Sequence, residues 1–594
     1  MLVLLGLAVA GCILGAADPP ERLRPTLDRE ALDLLRVACT TALAIVVLLG
    51  PGVLWRLLGR RLDLAYLPLV GLAVLIATAV VAWALSPSID PRVICFAALA
   101  PLLGLLLGAL VSADPADVFD REEQRALLFS GLTLGMVIGR TIWSLDPVGS
   151  LYAGAISRTL YAEPRPDSRI PYLVPELIAH GQGPFSAASA SLYAPWSFSS
   201  RGPLAGLATT PIVLLTGGKP PITAPEEPWQ TFDPEGFMAF RLAMMTLSLT
   251  ALLAVWGAVR RIGGDRAARL VIMLAAASPF VADDLIFTWP KLLAGAFVIL
   301  ALLAIAERRN LRAGLLVGVG YLMHPCALFG LTGIGLLALW PARGANWRRP
   351  NLKAAIAVAV GVGVFLVGWR LICLHHYDQG EFIEYLHEAG SNVHPSVLGW
   401  LEHRLTSLGN TLVPLMLPVF HGSDFSINTL GGQSPAVIHW SDQYWSGVPF
   451  GLGIVFFPFL VLSLGRTARR RPWPFFAVLV APLLVFCVYW GSAATGMLRE
   501  GLQWWGLALL ACVSLQQASA GFPWLRSKPI RTILSLRPLG ALIALLLPTL
   551  GTNGFQLLSG NRSFNDAAAI LLTVSCAAAM VMLSWRTQRR SEAS

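Results

Sequence analysis

Charge is what this sequence has least of. Asp, Glu, Lys and Arg together make up 13% of its 594 residues, about half the share of an ordinary soluble domain, which excludes a water-soluble globule. Paired cysteines are missing too. The eight cysteines (Cys12, Cys39, Cys95, Cys326, Cys373, Cys487, Cys512, Cys576) fall in or at the edge of apolar runs with no Cys-x-x-Cys pair, so neither a disulfide framework nor a thiolate metal site is expected. There is no G-x-G-x-x-G or G-x-x-x-x-G-K-[ST] phosphate loop, no G-x-S-x-G elbow and no H-E-x-x-H zinc signature. ATP-driven transport and serine hydrolysis therefore find no support.

What is present is apolar. Hydrophobic residues make up 55% of the chain and mean hydropathy is +0.65, the composition of an all-α polytopic membrane protein. Apolar runs occur at 1–17, 37–57, 64–86, 93–112, 127–145, 238–259, 268–286, 290–306, 312–324, 326–341, 353–374, 448–465, 475–491, 501–518, 534–551 and 566–584. At about 20 residues per crossing, they predict about 14–16 transmembrane helices. The first run contains Val-Ala-Gly-Cys, which resembles a lipoprotein cleavage site, but no Lys or Arg precedes it, so an uncleaved first span is expected. The pair within 312–341 is too short for two crossings and predicts either two half-helices meeting at His324-Pro325 or one kinked span.

The formal charge of +10 resides largely in short Lys/Arg clusters between apolar runs. Arg60-Arg61 and the clusters 260–269, 308–312, 343–353, 466–471, 526–531 and 586–590 occupy alternate connections. The positive-inside rule puts them, with both termini, in the cytoplasm, and no nucleic-acid partner is expected. Two long loops, 146–237 and 375–447, then lie outside with every histidine, from His180 to His439, at or beyond that face. Loops of this length suggest that the working face is extracytoplasmic; alternatively they are the solvated side of a transporter. Helices at 167–180 and 381–389 are expected to lie along the interface.

In the first loop, Asp167 is followed by Arg169, Tyr172, Glu176 and His180. On a helix starting near Pro171, Tyr172, Glu176 and His180 are spaced by four and share a face. A carboxylate at a membrane surface can act as general base toward a sugar hydroxyl. Alternatively Asp167 is an N-cap, and Glu176 and His180 are a solvated face. Arg201 precedes a Gly-Pro turn and an apolar run of about a dozen residues, too short to span and expected to re-enter or lie along the membrane. Asp283, Asp284 and Lys291 flank the turn between two spans, where charge is costly. Lys291 is placed to meet a lipid phosphate, and Asp283 or Asp284 a sugar hydroxyl or a divalent cation; the alternative is an Asp284–Lys291 pair. His324 is a further candidate for the same cavity, or the cap of a kink. Arg370 offers a bidentate fork to phosphate. His375, His376 and Asp378 match no familiar metal-ligand spacing, and a polar rim is expected there instead of a metal site. Trp440, Tyr444 and Trp445 read as an aromatic belt.

The pattern D-x-x-x-P-Y-x-x-x-E-x-I-x-x-G from Asp167 to Gly181, followed by R-G-P-L-x-x-L and an apolar run ending in Gly217-Gly218, resembles the first extracytoplasmic loop of GT-C membrane glycosyltransferases. That group includes the dolichyl-phosphate-mannose-protein mannosyltransferases and the aminoarabinose transferases. The stretches TWPKLLAGAFVILALLAIAERR and AGLLVGVGYLMHPCALFGL resemble the core of the same superfamily. The resemblance implies transfer of a hexosyl or pentosyl unit from a polyprenyl-phosphate-linked sugar to a glycan, lipid or protein acceptor of the cell envelope, on the outer face of a bacterial cytoplasmic membrane. It casts Asp167 as catalytic base, and beside it Arg201, Lys291 and Arg370 are candidate lipid-phosphate contacts. Four regions are expected: an added transmembrane bundle at 1–126, a GT-C-like core at 127–375 holding loop 146–237, a second loop at 376–447 and a C-terminal bundle at 448–594. Two other readings stay open, an O-antigen ligase or polymerase with its key residues in the second loop, and a transporter or flippase of lipid-linked glycans.

Overall fold

The computed structural model describes residues 29–112, 118–143, 166–183, 202–217, 234–276, 290–340, 350–376, 396–402, 457–489 and 503–519, with single positions between and beyond them. Among the described residues the regular structure is helical throughout, as an apolar chain in hydrocarbon requires, because each helix satisfies its own backbone groups. In chain order the helices are α1 (Arg29–Leu57), α2 (Leu67–Leu85), α3 (Pro91–Ser112), α4 (Arg121–Trp143), α5 (Pro166–Ala179), α6 (Leu204–Thr216), α7 (Pro234–Ser248), α8 (Thr250–Ala276) and α9 (Pro290–Ala306). They continue with α10 (Asn310–Met323), α11 (Ala327–Leu339), α12 (Leu352–His376), α13 (Phe457–Arg470), α14 (Pro472–Phe475), α15 (Ala481–Tyr489) and α16 (Gln503–Ser519). A 3-10 turn at Leu64–Tyr66 leads into α2, and a π-helical stretch at Phe476–Val480 joins α14 to α15.

The chain is an all-α polytopic membrane protein. Among the described residues, five helical segments are long and apolar enough to cross a membrane: Leu34–Leu57, Leu64–Leu85, Pro91–Ala109, Gly236–Ala276 and Leu352–His376. Other expected spans take the form of apolar helices of 10–17 residues, among them α9, α10 and α11, or lie outside the described residues, as do the runs 1–17 and 534–551 for the most part. Short helices are tolerated where neighbouring protein, not lipid, covers their ends.

Burial sorts the helices into an inner and an outer set. Helix α9 is buried almost all round, from Pro290 to Ala304, and α8 is buried from Thr250 to Val259, the pattern of a core helix. Helix α12 instead exposes Leu352, Ile356, Val360, Val364, Val367 and Leu371, an apolar stripe suited to lipid, and turns Val358 and Gly361 toward α10. The N-terminal helices are part of the same body: α1 packs on α7, and α2 on α6.

The basic connections converge. The end of α1, the start of α4, the break in α8 and the α9–α10 turn are joined by Arg56–Glu123, Arg260–Asp120, Arg269–Glu122 and Arg261–Glu307 ion pairs. The expected connection at 260–267 is a real turn, because Gly264 (φ 76, ψ −178) interrupts the helix and Arg260 clasps Asp265 across it at 2.8 Å. Because α9 is 17 residues long, its start lies about 25 Å from this basic end. That opposite end is termed the apex.

Candidate active site at the apex

Helices α9 and α10 form an antiparallel pair whose crossing sits where Gly320 meets Ala294 and Phe297. Lys291 and His324 each lie about one turn beyond that crossing, so both belong to the apex. Helix α10 stops at Met323, His324 is extended (φ −158, ψ 136), and α11 begins at Ala327. Of the two forms expected for 312–341, the half-helix pair is the one adopted. His324 Nδ1 accepts the Cys326 N–H at 3.1 Å, capping the start of α11 and leaving the proton of a neutral ring on Nε2.

The first loop docks onto this break. A Cβ added to Gly202 would lie 1.8 Å from the Leu322 carbonyl oxygen, so the Arg-Gly-Pro turn is seated against the end of α10 as only glycine allows. One turn on, Gly206 lies against the Pro171 carbonyl and Val174 of α5. The residues 202–206 thus join α5 to the His324 break. Helix α6, the short apolar run, is buried from Ala205 to Leu215, covered by protein on all sides.

Helix α5 fits the expected extent of 167–180 and departs from the finer reading of its start and its exposure. It begins at Pro166, not near Pro171, because proline is well suited to the first helical position; Asp167 and Arg169 therefore fall within its first turn. It is also covered by protein on the sides expected to be solvated. Ile170 to Pro175 and Leu177 to Ala179 are buried, because the helix is apolar on nearly every side and packs on α6. Tyr172 is 2% exposed and packs edge-on against Phe237, centroids 5.2 Å apart, with Phe240 at 5.4 Å. Glu176 and His180 are half-buried. The motif's last glycine stops the helix: Gly181 takes φ +67 while Gln182 N–H donates to Leu177 O and Gly181 N–H to Ile178 O, a Schellman ending.

The end of α12 closes the apex on another side. Arg370 lies close enough to Tyr321 of α10 to interact electrostatically. The His376 ring stacks on Phe185 from the first loop, 4.3 Å between centroids and 8° between planes, and Phe185 and Phe198 both pack against Trp369. His375 meets His376 edge-on at 4.8 Å. The start of the second loop is thereby tied to the first. Asp284 and Lys291 are buried, at 6% and 8% exposure. Arg201 and Asp283, the side chains of Asp167 and Arg169, and the 381–389 and 440–445 segments lie outside the described residues. Among the described residues no three His, Cys, Asp or Glu side chains gather to hold a metal ion.

One residue of this region escapes the sequence reading. Arg241 in α7 is 5% exposed, with its guanidinium 5.2 Å over the Phe237 ring that also packs on Tyr172. Its signal was a lone arginine inside the apolar run Gly236-Phe-Met-Ala-Phe-Arg-Leu-Ala-Met-Met, since an ionisable residue within a span marks a functional position by default.

Away from the basic end, where Glu123 is buried, the described residues of this helical membrane bundle bury four charged or ionisable polar side chains, Arg241, Asp284, Lys291 and His324, positions that in a membrane protein suit the handling of a polar substrate. The family model of glycosyltransferase family 87 matches residues 229–419. That is a GT-C-type family of membrane glycosyltransferases, so the GT-C resemblance is borne out and the comparison supports a membrane glycosyltransferase. The match spans Arg241, Asp283, Asp284, Lys291, His324, Arg370, His375 and His376, and leaves Asp167, Arg169, Tyr172, Glu176 and Arg201 outside it. Neither a curated protein nor a solved structure matches the chain.

Proposed function

We propose that this membrane glycosyltransferase takes its sugar from a polyprenyl-phosphate-linked donor and transfers it to a cell-envelope acceptor at the apex, on the extracytoplasmic face. The observation that carries the reading is the seating of Gly202 on the Leu322 carbonyl, which supports a single site built from the first loop and the α10–α11 break. Asp167 is the general base. It removes the proton of an acceptor hydroxyl as that oxygen attacks the anomeric carbon; the new C–O bond forms on the face opposite the breaking bond to phosphate, so the product is inverted. The proton ends on the Asp167 carboxylate and the electron pair leaves on the polyprenyl phosphate. Arg201, Lys291 and Arg370 offset that phosphate charge, with guanidinium forks favoured for such oxygens. Arg169, Tyr172, Glu176, Asp283, Asp284, His324, His375 and His376 are assigned to binding the substrates, and a divalent cation at Asp283 and Asp284 is compatible with the donor phosphate.

The test is transfer by the purified protein from a panel of radiolabelled polyprenyl-phosphate sugars, with Asp167→Asn beside the wild type. Loss of turnover by about 100-fold or more, the range for a general base, with donor binding retained, is the expected result. Undiminished transfer in the variant would move the chemistry toward His375 and His376, and absence of transfer from every donor would overturn the donor class.

A further inference from the structure

The basic end carries a second site, remote from the apex. A cavity of about 700 Å³ opens there, lined by Arg56, Arg60, Arg61, Arg260 and Arg261 with Asp63, Glu123 and Asp265 among its walls. Five arginines against three carboxylates leave an excess of two positive charges, and the carboxylates are already engaged. Glu123 takes both ends of the Arg56 guanidinium, at 2.8 and 2.7 Å. Asp265 accepts from Arg260 at 2.8 Å, and Asp63 accepts the Ala65 N–H at 3.0 Å. The excess resides on Arg60 and Arg61, which are exposed and whose guanidiniums have no partner among the described residues.

The loop that presents them is held in place. Helix α1 ends in a Schellman turn, with Arg60 N–H donating to Trp55 O and Gly59 N–H to Arg56 O around Gly59 at φ +75, a conformation that favours glycine. Arg56 then spans the loop, its Nε donating to Leu62 O at 2.8 Å and its Nη1 to Val118 O at 2.9 Å. Two uncommitted guanidiniums on a fixed loop match the oxygens of a phosphate group. Next in the chain to the lining residues Arg56 and Gly59, Trp55 is 48% and Leu58 78% exposed, so exposed apolar side chains adjoin the residues that wall the cavity. Basic pockets between transmembrane helices with apolar flanks suit the headgroup of an anionic lipid, and tryptophan favours that interfacial depth.

We propose that this cavity is a phosphate-binding site in which Arg60 and Arg61 hold a phosphodiester, with an anionic lipid headgroup as its source and Trp55 and Leu58 against the acyl chains. The site is independent of sugar transfer and takes no part in it.

The experiment uses the full chain, purified in detergent and stripped of lipid, and has two arms. Native mass spectrometry follows binding of phosphatidylglycerol and of phosphatidylcholine with the same acyl chains, and thermal unfolding follows titration with inorganic phosphate. Expected are saturation by phosphatidylglycerol at a concentration at least about tenfold lower than by phosphatidylcholine, and loss of that preference in Arg60→Gln/Arg61→Gln, equivalent to about 1.4 kcal/mol. Arg60→Lys/Arg61→Lys should be intermediate, because charge is kept and the fork lost. Arg92→Gln, on an exposed arginine beside Asp90 at the other end, should bind as wild type does. A phosphate-dependent rise in Tm in the wild type but not in the glutamine variant, without lipid preference, would support the site and make soluble phosphate its source. Equal binding by the wild type and the glutamine variant in both arms overturns the proposal.

Discussion

The two ends of the bundle use the same kinds of side chain under opposite conditions. At the basic end, arginines and carboxylates sit on connections; Arg260, Arg261 and Arg269 are 29% to 67% exposed in their ion pairs, and their partners are chain-distant, as in Arg260–Asp120. Ion pairs this exposed contribute little each, and their effect is to tie four connections together. At the apex, Arg241, Asp284, Lys291 and His324 are each less than a tenth exposed, and burial of an ionisable group in a membrane bundle is costly enough that it persists where function requires it. One end is held by many weak ties, the other by a few backbone approaches that admit no side chain.

The largest break in that contrast should come from Gly202→Ala. Its Cβ would meet main-chain Leu322 O at 1.8 Å, an obstacle that cannot rotate away, so a loss of about 3 kcal/mol is expected together with loss of sugar transfer. Thermal unfolding in detergent reads the first, and an unchanged Tm would show that the apex is not fixed by this approach. Glu123→Gln comes next. The Arg56–Glu123 pair is the least exposed of the basic end, at 12% and 11%, and removing its charge should cost about 2 kcal/mol, below the range for fully buried pairs, while transfer by the folded fraction stays at the wild-type level. Gly59→Ala meets no atom within 4 Å, so only its positive φ opposes it, and about 1 kcal/mol is expected; this variant sharpens the comparison because it separates backbone conformation from steric exclusion.

The smallest effect is one of pH. Burial alone would raise the Asp120 carboxyl, but the Glu123 N–H, the Arg260 guanidinium and the Glu122 N–H outweigh it, and the group is held below its ordinary 3.8. A depressed carboxylate stabilises the fold above its ordinary value, and that contribution is lost as the pH falls through the depressed one. The Tm advantage of the wild type over Asp120→Asn should therefore be present near neutrality and close below about pH 4. With the Asp120 side chain 51% exposed, screening keeps that advantage small. An advantage that grew on acidification would contradict the assignment.

Much of the scaffold was legible because hydrocarbon leaves few choices. Helices α1, α2, α3, α9 and α12 fall on their apolar runs, and the break at His324-Pro325 was readable from two runs each too short to cross. That the connections carrying Arg60-Arg61, 260–269 and 308–312 share one end followed from basic clusters alternating with apolar runs, whereas the carboxylates that join them, Asp120, Glu122, Glu123 and Glu307, gave no such signal. The start of α5 was misjudged because Pro171 looked like a first-turn proline, whereas the chain uses Pro166 there and carries Pro171 and Pro175 inside the helix. Its burial was missed because spacing reveals which residues share a face and not what covers it. Arg241 was hidden by averaging, one charge among nine apolar neighbours, and the stacking of His376 on Phe185 joins positions too far apart in sequence for any local pattern to report.

Helices α10 and α12 run parallel and mesh through notches: Gly314 takes the Val358 carbonyl, Gly318 the Phe365 ring and Gly361 the backbone of Leu311 and Leu315. Teeth cut into main chain cannot slip past one another without first pulling apart. The pair is therefore a stator, keeping Tyr321 and Arg370 in step, and any opening of the apex has to be a movement of the parts around it.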